Sequence, residues 1–260
     1  MNQTYYTLQI NAISACFDIK INDIPLYADN EGKPTSVEFP INHLLINGIN
    51  ILQVSVSPAK HESEFVDHTK TNFEIYYRDI NDVRENRQLL ASAEFPDYHN
   101  DEKLKQSVIS SKKEFKATLL LDAPLWSTSP VLKLNEQTVS EIMDIYKEYH
   151  KALKNKNVDA IFRLTGIKNK VYADSVYKNL NSHLNSLRES YAETFEDPAN
   201  ELIDFDIQVK KPELHAFGKL VTIINDENRS PLQYYNAESG ITTAFPIYLC
   251  MKDKKLVVVL

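Results

Sequence analysis

The sequence predicts two domains, an all-β domain followed by an α+β domain of three helices and four antiparallel strands. Before Pro130, apolar and polar residues alternate with a period of two, as they do in strands. After Thr138 apolar residues recur every three or four positions, as in helices, and after Pro198 the period returns to two. Ser, Thr and Pro residues between the two parts are typical of a linker. The predicted boundaries are 1–125 for the first domain, 126–137 for the linker and 138–260 for the second domain.

Composition and charge favour a folded protein that binds no nucleic acid. Of the 260 residues, 43% are hydrophobic and 25% are charged, close to globular averages and sufficient for buried cores. Residues 1–130 contain 12 Lys and Arg against 18 Asp and Glu, and residues 131–260 contain 17 against 18. Neither half has the basic excess on which nucleic-acid binding depends. The acidic first half can attract a basic protein partner; the alternative is that it only keeps the protein in solution.

The first half begins with strands. The stretches TYYTLQI and SACFDIKI alternate in polarity, so that every second residue from Ala15 to Ile21 faces one side. Turn residues follow at Asn22-Asp23 and at 29–34, and SVEFPI and ILQVSVS supply further strands. Two later strands are predicted at FEIYYRDI and EFKATLLLD, with a polar loop and a short helix at 97–113 between them.

Two turns of this half carry a family resemblance. Gly48 tolerates a positive φ, and Asn50 can cap the turn backbone before the next strand. The segments Ile21-Asn22-Asp23 and Leu45–Leu52 together resemble the galactose-binding-like family. That resemblance implies an all-β sandwich for the first domain, and it raises carbohydrate binding as an alternative function. Trp126 is the only Trp that could stack on a sugar.

The second half begins with helices. Thr138 and Glu141 match a capping box ahead of an apolar helical stripe. Asn157 is expected to cap a second helix, VDAIFRL, and a third helix is expected over about 169–195. The four strands that follow are FDIQVKK, LHAFGKLVTIIND, ITTAFPIYLCM and KLVVVL, with a tight hairpin at Asp253-Lys254-Lys255 joining the last two.

This order of elements carries a second resemblance. Three helices before an antiparallel sheet, together with a short sequence motif at the end of the first helix, resemble the NTF2-like (SnoaL-type) family. The motif consists of Ala152, Lys156, Asn157, Asp159, Ile161 and Leu164. The closing hairpin departs from the family pattern because it lacks a Gly and a Trp. The resemblance implies an α+β cone with three helices packed on a curved antiparallel sheet, and a pocket between helices and sheet.

Candidate site residues follow from the implied pocket. Four tyrosines are expected to project into it as ligand-binding residues: Tyr172, Tyr191, Tyr234 and Tyr235. Asp206 and His215 lie on neighbouring predicted strands and are the candidates for a catalytic acid–base pair. The alternative is that the His is a surface or satisfied residue and that the tyrosines only fill the core.

Several classes of site are not expected. The chain contains no GxGxxG, GxxxxGK[ST] or GxSxG motif, which argues against nucleotide chemistry and a serine nucleophile, and no cofactor is predicted. Cys16 and Cys250 both lie in apolar strand-like stretches, so buried free thiols are expected, with a disulfide as the alternative. No Cys/His cluster suggests a metal. The N-terminus has no basic region followed by an apolar run, and no long apolar run occurs, so a cytoplasmic protein without a membrane span is predicted.

Two rigid domains without an apparent reaction centre favour a non-enzymatic binding protein. By analogy with bacterial proteins of similar architecture, it is expected to be an immunity-type protein that neutralises a protein partner. The NTF2-like resemblance also implies that a homodimer can form. Two alternatives stay open: an NTF2-like isomerase, dehydratase or hydrolase with its pocket in the C-terminal domain, and carbohydrate binding through the first domain.

Overall fold

The structure is a computed structural model, which describes residues 3–95, 108–120, 122–205, 211–225 and 229–260. The chain divides into two compact units, called unit 1 and unit 2 below, at Met1–Pro124 and Leu125–Leu260.

Unit 1 is built from antiparallel strands. Its strands are β1 (Thr4–Ile13), β2 (Ala15–Ile21), β3 (Ile24–Asp29), β4 (Thr35–Pro40), β5 (Gly48–Pro58), β6 (Lys70–Asp79), β7 (Gln88–Ser92) and β8 (Ile109–Ala117). Within the described part of unit 1 they form two four-stranded sheets, with strand orders β4-β1-β6-β7 and β3-β2-β5-β8. Short 3-10 helices lie at Asn42–Leu44 and Arg84–Asn86.

The core of unit 1 follows the predicted alternation. Ala15, Phe17, Ile19 and Ile21 of β2 are all buried, which confirms that they share one face. The Phe17 ring meets the ring of Phe73 on the other sheet edge-on, with centroids 5.3 Å apart. Burial of these apolar faces is the main stabilising contribution to unit 1.

Two buried asparagines hold the turns at one end of β2 and β5. Asn22 has a φ of 54°, and its Nδ2 donates to Asn50 Oδ1 at 2.8 Å and to the carbonyl of Leu44 at 2.9 Å. Asn50 Oδ1 also accepts from the backbone N–H of Ile46, and its Nδ2 donates to the carbonyls of Ile46 and Gly48. Gly48 has a φ of 106°. The predicted capping role of Asn50 is therefore confirmed.

Unit 2 contains five helices among its described residues. They are α1 (Leu125–Thr128), α2 (Glu136–Lys154), α3 (Val158–Leu164), α4 (Gly166–Ser175) and α5 (Leu180–Glu196). Asn157 caps α3 as predicted, since its Oδ1 accepts from the N–H of Ala160 at 3.0 Å. The predicted capping box at Thr138 is wrong, because Asn135 caps α2. The backbone N–H of Thr138 donates to Oδ1 of Asn135.

The strands among the described residues of unit 2 are short and belong to two sheets. They are β9 (Asn200–Leu202), β10 (Lys211–His215), β11 (Leu220–Ile224), β12 (Gln233–Asn236), β13 (Thr242–Ala244), β14 (Leu249–Lys252) and β15 (Lys255–Val258). One sheet has the order β10-β11-β14-β15, and the other has the order β13-β12-β9. The predicted hairpin between the last two strands is present, with Asp253 and Lys254 at positive φ as a type I′ turn requires.

The predicted fold class is wrong. It was an all-β sandwich followed by an α+β cone with three helices packed on one curved antiparallel sheet. The described residues instead form fifteen strands in four sheets, with five helices.

Local breaks explain the difference in unit 2. The predicted helix over 169–195 is two helices, because Tyr177 has a φ of 55° and Asn179 caps a new helix. The stretch LHAFGKLVTIIND is a hairpin rather than one strand, since Ala216, Phe217 and Gly218 all have positive φ. The stretch ITTAFPIYLCM contributes strands to both sheets, with Pro246 between them.

Some predicted elements fall outside the described residues. Residues 97–107 of the predicted loop lie outside them, and β8 begins at Ile109, inside the end of that loop. Residues 206–210 of the predicted strand FDIQVKK also lie outside them. Within the described ranges, no helix is long and apolar enough to cross a membrane.

The segment 126–137, predicted as a linker, begins within helix α1 and is bonded to the rest of unit 2. Trp126 is only 4% exposed. Ser129 Oγ donates to the carbonyl of Met251 at 3.1 Å, and Lys219 Nζ donates to the carbonyl of Ser127 at 2.5 Å. These contacts hold α1 against unit 2.

The core of unit 2 joins helix α2 to β11. Tyr146 is fully buried, and its hydroxyl accepts from the N–H of Ile223 and lies 2.9 Å from both the Ile247 carbonyl and Thr222 Oγ1. Burial raises the pKa of Tyr146 to about 12, so this hydroxyl stays protonated. The network fixes α2, which supplies one wall of the cavity described next.

Candidate functional site

Unit 2 contains a cavity of about 220 Å³, bounded by α2, α3, the start of α4, α5 and residues 244–246. Four lining residues are aromatic, namely Tyr149, Phe162, Tyr191 and Phe245. Four are polar, namely Thr165, Lys168, Asn169 and Ser190. The others are Leu187, Ala244 and Pro246. We call this cavity the Lys168 pocket.

The aromatic wall is a packed cluster. The rings of Tyr191 and Phe245 are nearly parallel, with an angle of 12° and centroids 5.5 Å apart. Phe162 meets Tyr191 edge-on, at 64° and 6.2 Å. These are favourable aromatic geometries, so the wall is held in place before any ligand arrives.

Two tyrosine hydroxyls of the wall form a hydrogen-bonded pair. The hydroxyls of Tyr149 on α2 and Tyr191 on α5 are 2.8 Å apart. Burial raises the pKa of Tyr149 well above its ordinary value, and it also raises the pKa of Tyr191. Both hydroxyls therefore remain protonated near neutral pH and act as neutral hydrogen-bonding groups.

The polar wall is formed at the corner between α3 and α4. Thr165 Oγ1 donates to the carbonyl of Ile161 at 2.9 Å and accepts from Asn169 Nδ2 at 3.0 Å. Thr165 and Asn169 are both buried. The two side chains thus fix each other at the beginning of α4, where the helix dipole places partial positive charge.

Lys168 adds a full positive charge to this wall. Its Nζ donates to the carbonyl of Pro246 at 2.7 Å. No Asp or Glu of the described residues forms an ion pair with it. The residue keeps some contact with solvent, yet desolvation of its ammonium lowers the pKa to about 8. Near neutral pH the pocket therefore holds a cation that, among the described residues, is hydrogen-bonded to a backbone carbonyl and paired with no carboxylate.

Of the four predicted pocket tyrosines, Tyr191 lines the Lys168 pocket. Tyr234 lies behind the wall: its ring meets Phe245 edge-on at 6.2 Å, and its hydroxyl donates to the carbonyl of Leu153 at 2.9 Å. Tyr172 packs beside His183, with ring centroids 5.1 Å apart. Tyr235 is 41% exposed. Of the four, only Tyr191 is among the residues that line the Lys168 pocket.

Of the predicted acid–base candidates, His215 does not line the pocket. His215 is buried at the end of β10, with its ring edge-on to Tyr248 and its Nε2 4.0 Å from Glu213 Oε1. Asp206 lies outside the described residues. In the part of the chain that the structure describes, no group of three or more His, Cys, Asp or Glu residues could hold a metal ion.

Sequence reasoning missed Lys168, Thr165 and Asn169. The stretch TGIKNK reads as an ordinary polar helix start, and its lysines look like solvated surface residues. Lys168 and Lys170 differ only in their neighbours, since Lys170 pairs with Asp174 on the exposed side of α4. No local signal separates the two, because the difference arises from tertiary packing.

Comparison of the chain with protein-family models, with curated proteins and with solved structures finds no match.

Proposed function

We propose that this protein is a non-enzymatic binding protein, and that unit 2 binds a small anionic molecule in the Lys168 pocket. The observation that carries the proposal is the position of the Lys168 ammonium: it lines an aromatic cavity, and no carboxylate of the described residues pairs with it. A partly desolvated cation without a counterion gains more from an anionic ligand than a solvated one does.

The composition of the wall supports binding rather than catalysis. The hydroxyl of Thr165 is engaged with Ile161 and Asn169, and those of Tyr149 and Tyr191 are engaged with each other. None of the described lining residues is an Asp, Glu, His or Cys, and Lys168, with a pKa of about 8, is mostly protonated at pH 7 and therefore acts there as a cation rather than as a base. The alternative of an NTF2-like enzyme, which rests on Asp206 and His215, gains no support from this arrangement.

Calorimetric titration of the full chain at pH 7 tests the proposal. The probes are acetate, inorganic phosphate and benzoate, with acetamide and benzamide as neutral counterparts. We expect at least one anion to bind, its neutral counterpart to bind much more weakly, and Lys168→Met to remove anion binding. Lys170→Met is the matched control, because Lys170 lies on the same helix outside the pocket.

Two results would contradict the proposal that the pocket binds anions. If no anion binds at millimolar concentration, or if Lys168→Met binds anions as well as the unmodified chain does, the pocket is not an anion site.

A protein partner for unit 1 is a second candidate function, favoured by charge. Residues 1–130 have a formal charge of −6, against −1 for residues 131–260. An acidic surface of this kind accelerates association with a basic protein, and the interaction weakens as salt rises. An immunity-type protein that neutralises such a partner is the class that the sequence favours. Affinity capture from the source organism at low and at high salt tests it, and failure to capture any basic protein at low salt would count against it.

A further inference from the structure

We infer that the Lys168 pocket selects planar aromatic monocarboxylates, with the ligand ring against the aromatic wall and the carboxylate at Lys168. The inference rests on the proposed anion binding and adds the class of ligand. Three features of the pocket support it: its volume, its aromatic wall and its single basic side chain.

The volume favours a small ligand. The pocket has a volume of about 220 Å³ and is partly open to solvent. Pockets for drug-sized ligands are larger, about 300–1,000 Å³. A single-ring compound therefore suits this cavity better than a nucleotide, an oligosaccharide or a long acyl chain.

The wall favours a flat, unsaturated ring. Phe162, Tyr191 and Phe245 already pack on one another in edge-on and nearly parallel geometries. A ligand ring can join this cluster with the same geometries, because each ring presents a negative face and a positive edge. A saturated ring of similar size buries similar area but lacks this complementarity. We expect the aromatic ligand to bind about three- to tenfold more tightly.

The polar wall favours a single negative charge. Lys168 is the one basic side chain among the described lining residues. A monocarboxylate is neutralised by one ammonium, whereas a dianion such as phosphate would bring a second charge into a partly desolvated site without a second cation. The remaining N–H groups of the Lys168 ammonium, and the second N–H of the Asn169 amide, whose first donates to Thr165, are suited to the two oxygens of a carboxylate.

The experiment compares ligands that differ in one property at a time. Benzoate is titrated into the full chain beside cyclohexanecarboxylate, which removes the aromaticity, and benzamide, which removes the charge. Acetate removes the ring, and inorganic phosphate replaces the carboxylate. We expect benzoate to bind most tightly, with an affinity three- to tenfold above that of cyclohexanecarboxylate.

Two variants place the preference in the pocket. Phe245→Leu should bring the affinities for benzoate and for cyclohexanecarboxylate closer together, because it removes one ring of the aromatic wall. Phe217→Leu should leave the ratio of these two affinities unchanged, because Phe217 is an exposed aromatic outside the pocket. If Phe245→Leu does not fold, the comparison of benzoate with cyclohexanecarboxylate on the unmodified chain still tests whether the pocket prefers an aromatic ring. Hydrogen exchange with benzoate bound should show protection at residues 187–191.

The outcomes separate the two proposals. Equal affinities for benzoate and cyclohexanecarboxylate, or tighter binding of phosphate than of benzoate, would overturn the aromatic preference and leave anion binding standing. Failure of every anion to bind would remove the proposed function and the aromatic preference together.

Discussion

Asn50 shows how one side chain can replace the missing backbone partners of a turn. It is completely buried, and all its polar atoms are used within unit 1: the Oδ1 accepts two hydrogen bonds and the Nδ2 donates two. Without these bonds, the backbone groups of Ile46 and Gly48 and the side chain of Asn22 would lose partners inside the protein.

The Asn50→Ala substitution is therefore expected to lower the free energy of unfolding of unit 1 by about 2–3 kcal/mol. Faster amide hydrogen exchange in peptides from β5 would measure the loss. Asn30→Ala is the matched control, because Asn30 is exposed in a turn of the same unit. Equal exchange in both variants would contradict the role given to Asn50.

Lys168 gives the anion site a defined dependence on pH. Its pKa is lowered to about 8, from an ordinary value near 10.5, so the ammonium loses its proton as pH rises through 8. We expect the affinity for benzoate to be nearly constant below pH 7 and to fall by about tenfold per unit well above pH 8. Titrations from pH 6 to pH 9.5 would measure the profile.

Lys168→Arg serves as the control for this profile. A guanidinium remains charged throughout the range, so any binding that the variant retains should not fall near pH 8. A flat profile for the unmodified chain would show that Lys168 is not the group that binds the anion.

At the scale of single elements, the hairpin between β14 and β15 stores backbone strain. Its turn residues Asp253 and Lys254 have φ values of 48° and 63°. A left-handed conformation is unfavourable for residues that carry a Cβ, and a type I′ turn prefers Asn-Gly or Asp-Gly.

Lys254→Gly should therefore stabilise unit 2, by about 0.5–1 kcal/mol after allowance for the larger conformational entropy of Gly in the unfolded chain. Lys255→Gly, one residue later within β15, should be destabilising by a similar amount. Thermal unfolding of the two variants would test this, and a lower melting temperature for Lys254→Gly would contradict it.

The sequence predicts correctly those features that depend on residues close together in the chain. The alternation in β2, the cap at Asn157 and the role of Asn50 each depend on residues within a few positions of one another. The start of α2 was misplaced because Asn135 and Thr138 are both good caps, and only the folded geometry chooses between them.

The sheets and the site depend on distant residues, and sequence reasoning failed there. Nothing local in ITTAFPIYLCM shows that Thr242 pairs with Tyr235 whereas Leu249 pairs with Val258. The pocket likewise requires Lys168 to meet Pro246, across 78 residues of sequence. Tyr191 was identified as a ligand-binding candidate, but its partners Tyr149 and Phe245 were not.

At the scale of the whole molecule, the position of the unit boundary can be tested with fragments. A fragment that starts at residue 125 keeps α1, with Trp126 and the bond from Ser129 to Met251. A fragment that starts at residue 138, the predicted start of the second domain, lacks them and also lacks the cap at Asn135. Both losses expose or unpair groups that are satisfied in the full chain.

We therefore expect the 125–260 fragment to unfold cooperatively, and the 138–260 fragment to be less stable by several kcal/mol or to stay unfolded. Near-ultraviolet circular dichroism and thermal melts would distinguish them. The Trp126→Ala variant of the full chain should show part of the same loss. Equal stability of the two fragments would mean that residues 125–137 are dispensable for unit 2.

The burial of Trp126 has a practical consequence for every measurement of folding. It is the only indole in the chain and it lies in unit 2, whereas unit 1 contains tyrosine and phenylalanine but no tryptophan. Selective excitation of the indole therefore reports on its surroundings in unit 2 and excites no group of unit 1. A single smooth fluorescence transition in denaturant would describe unit 2, and the melting of unit 1 must be followed through its amide protons, because tyrosines occur in both units.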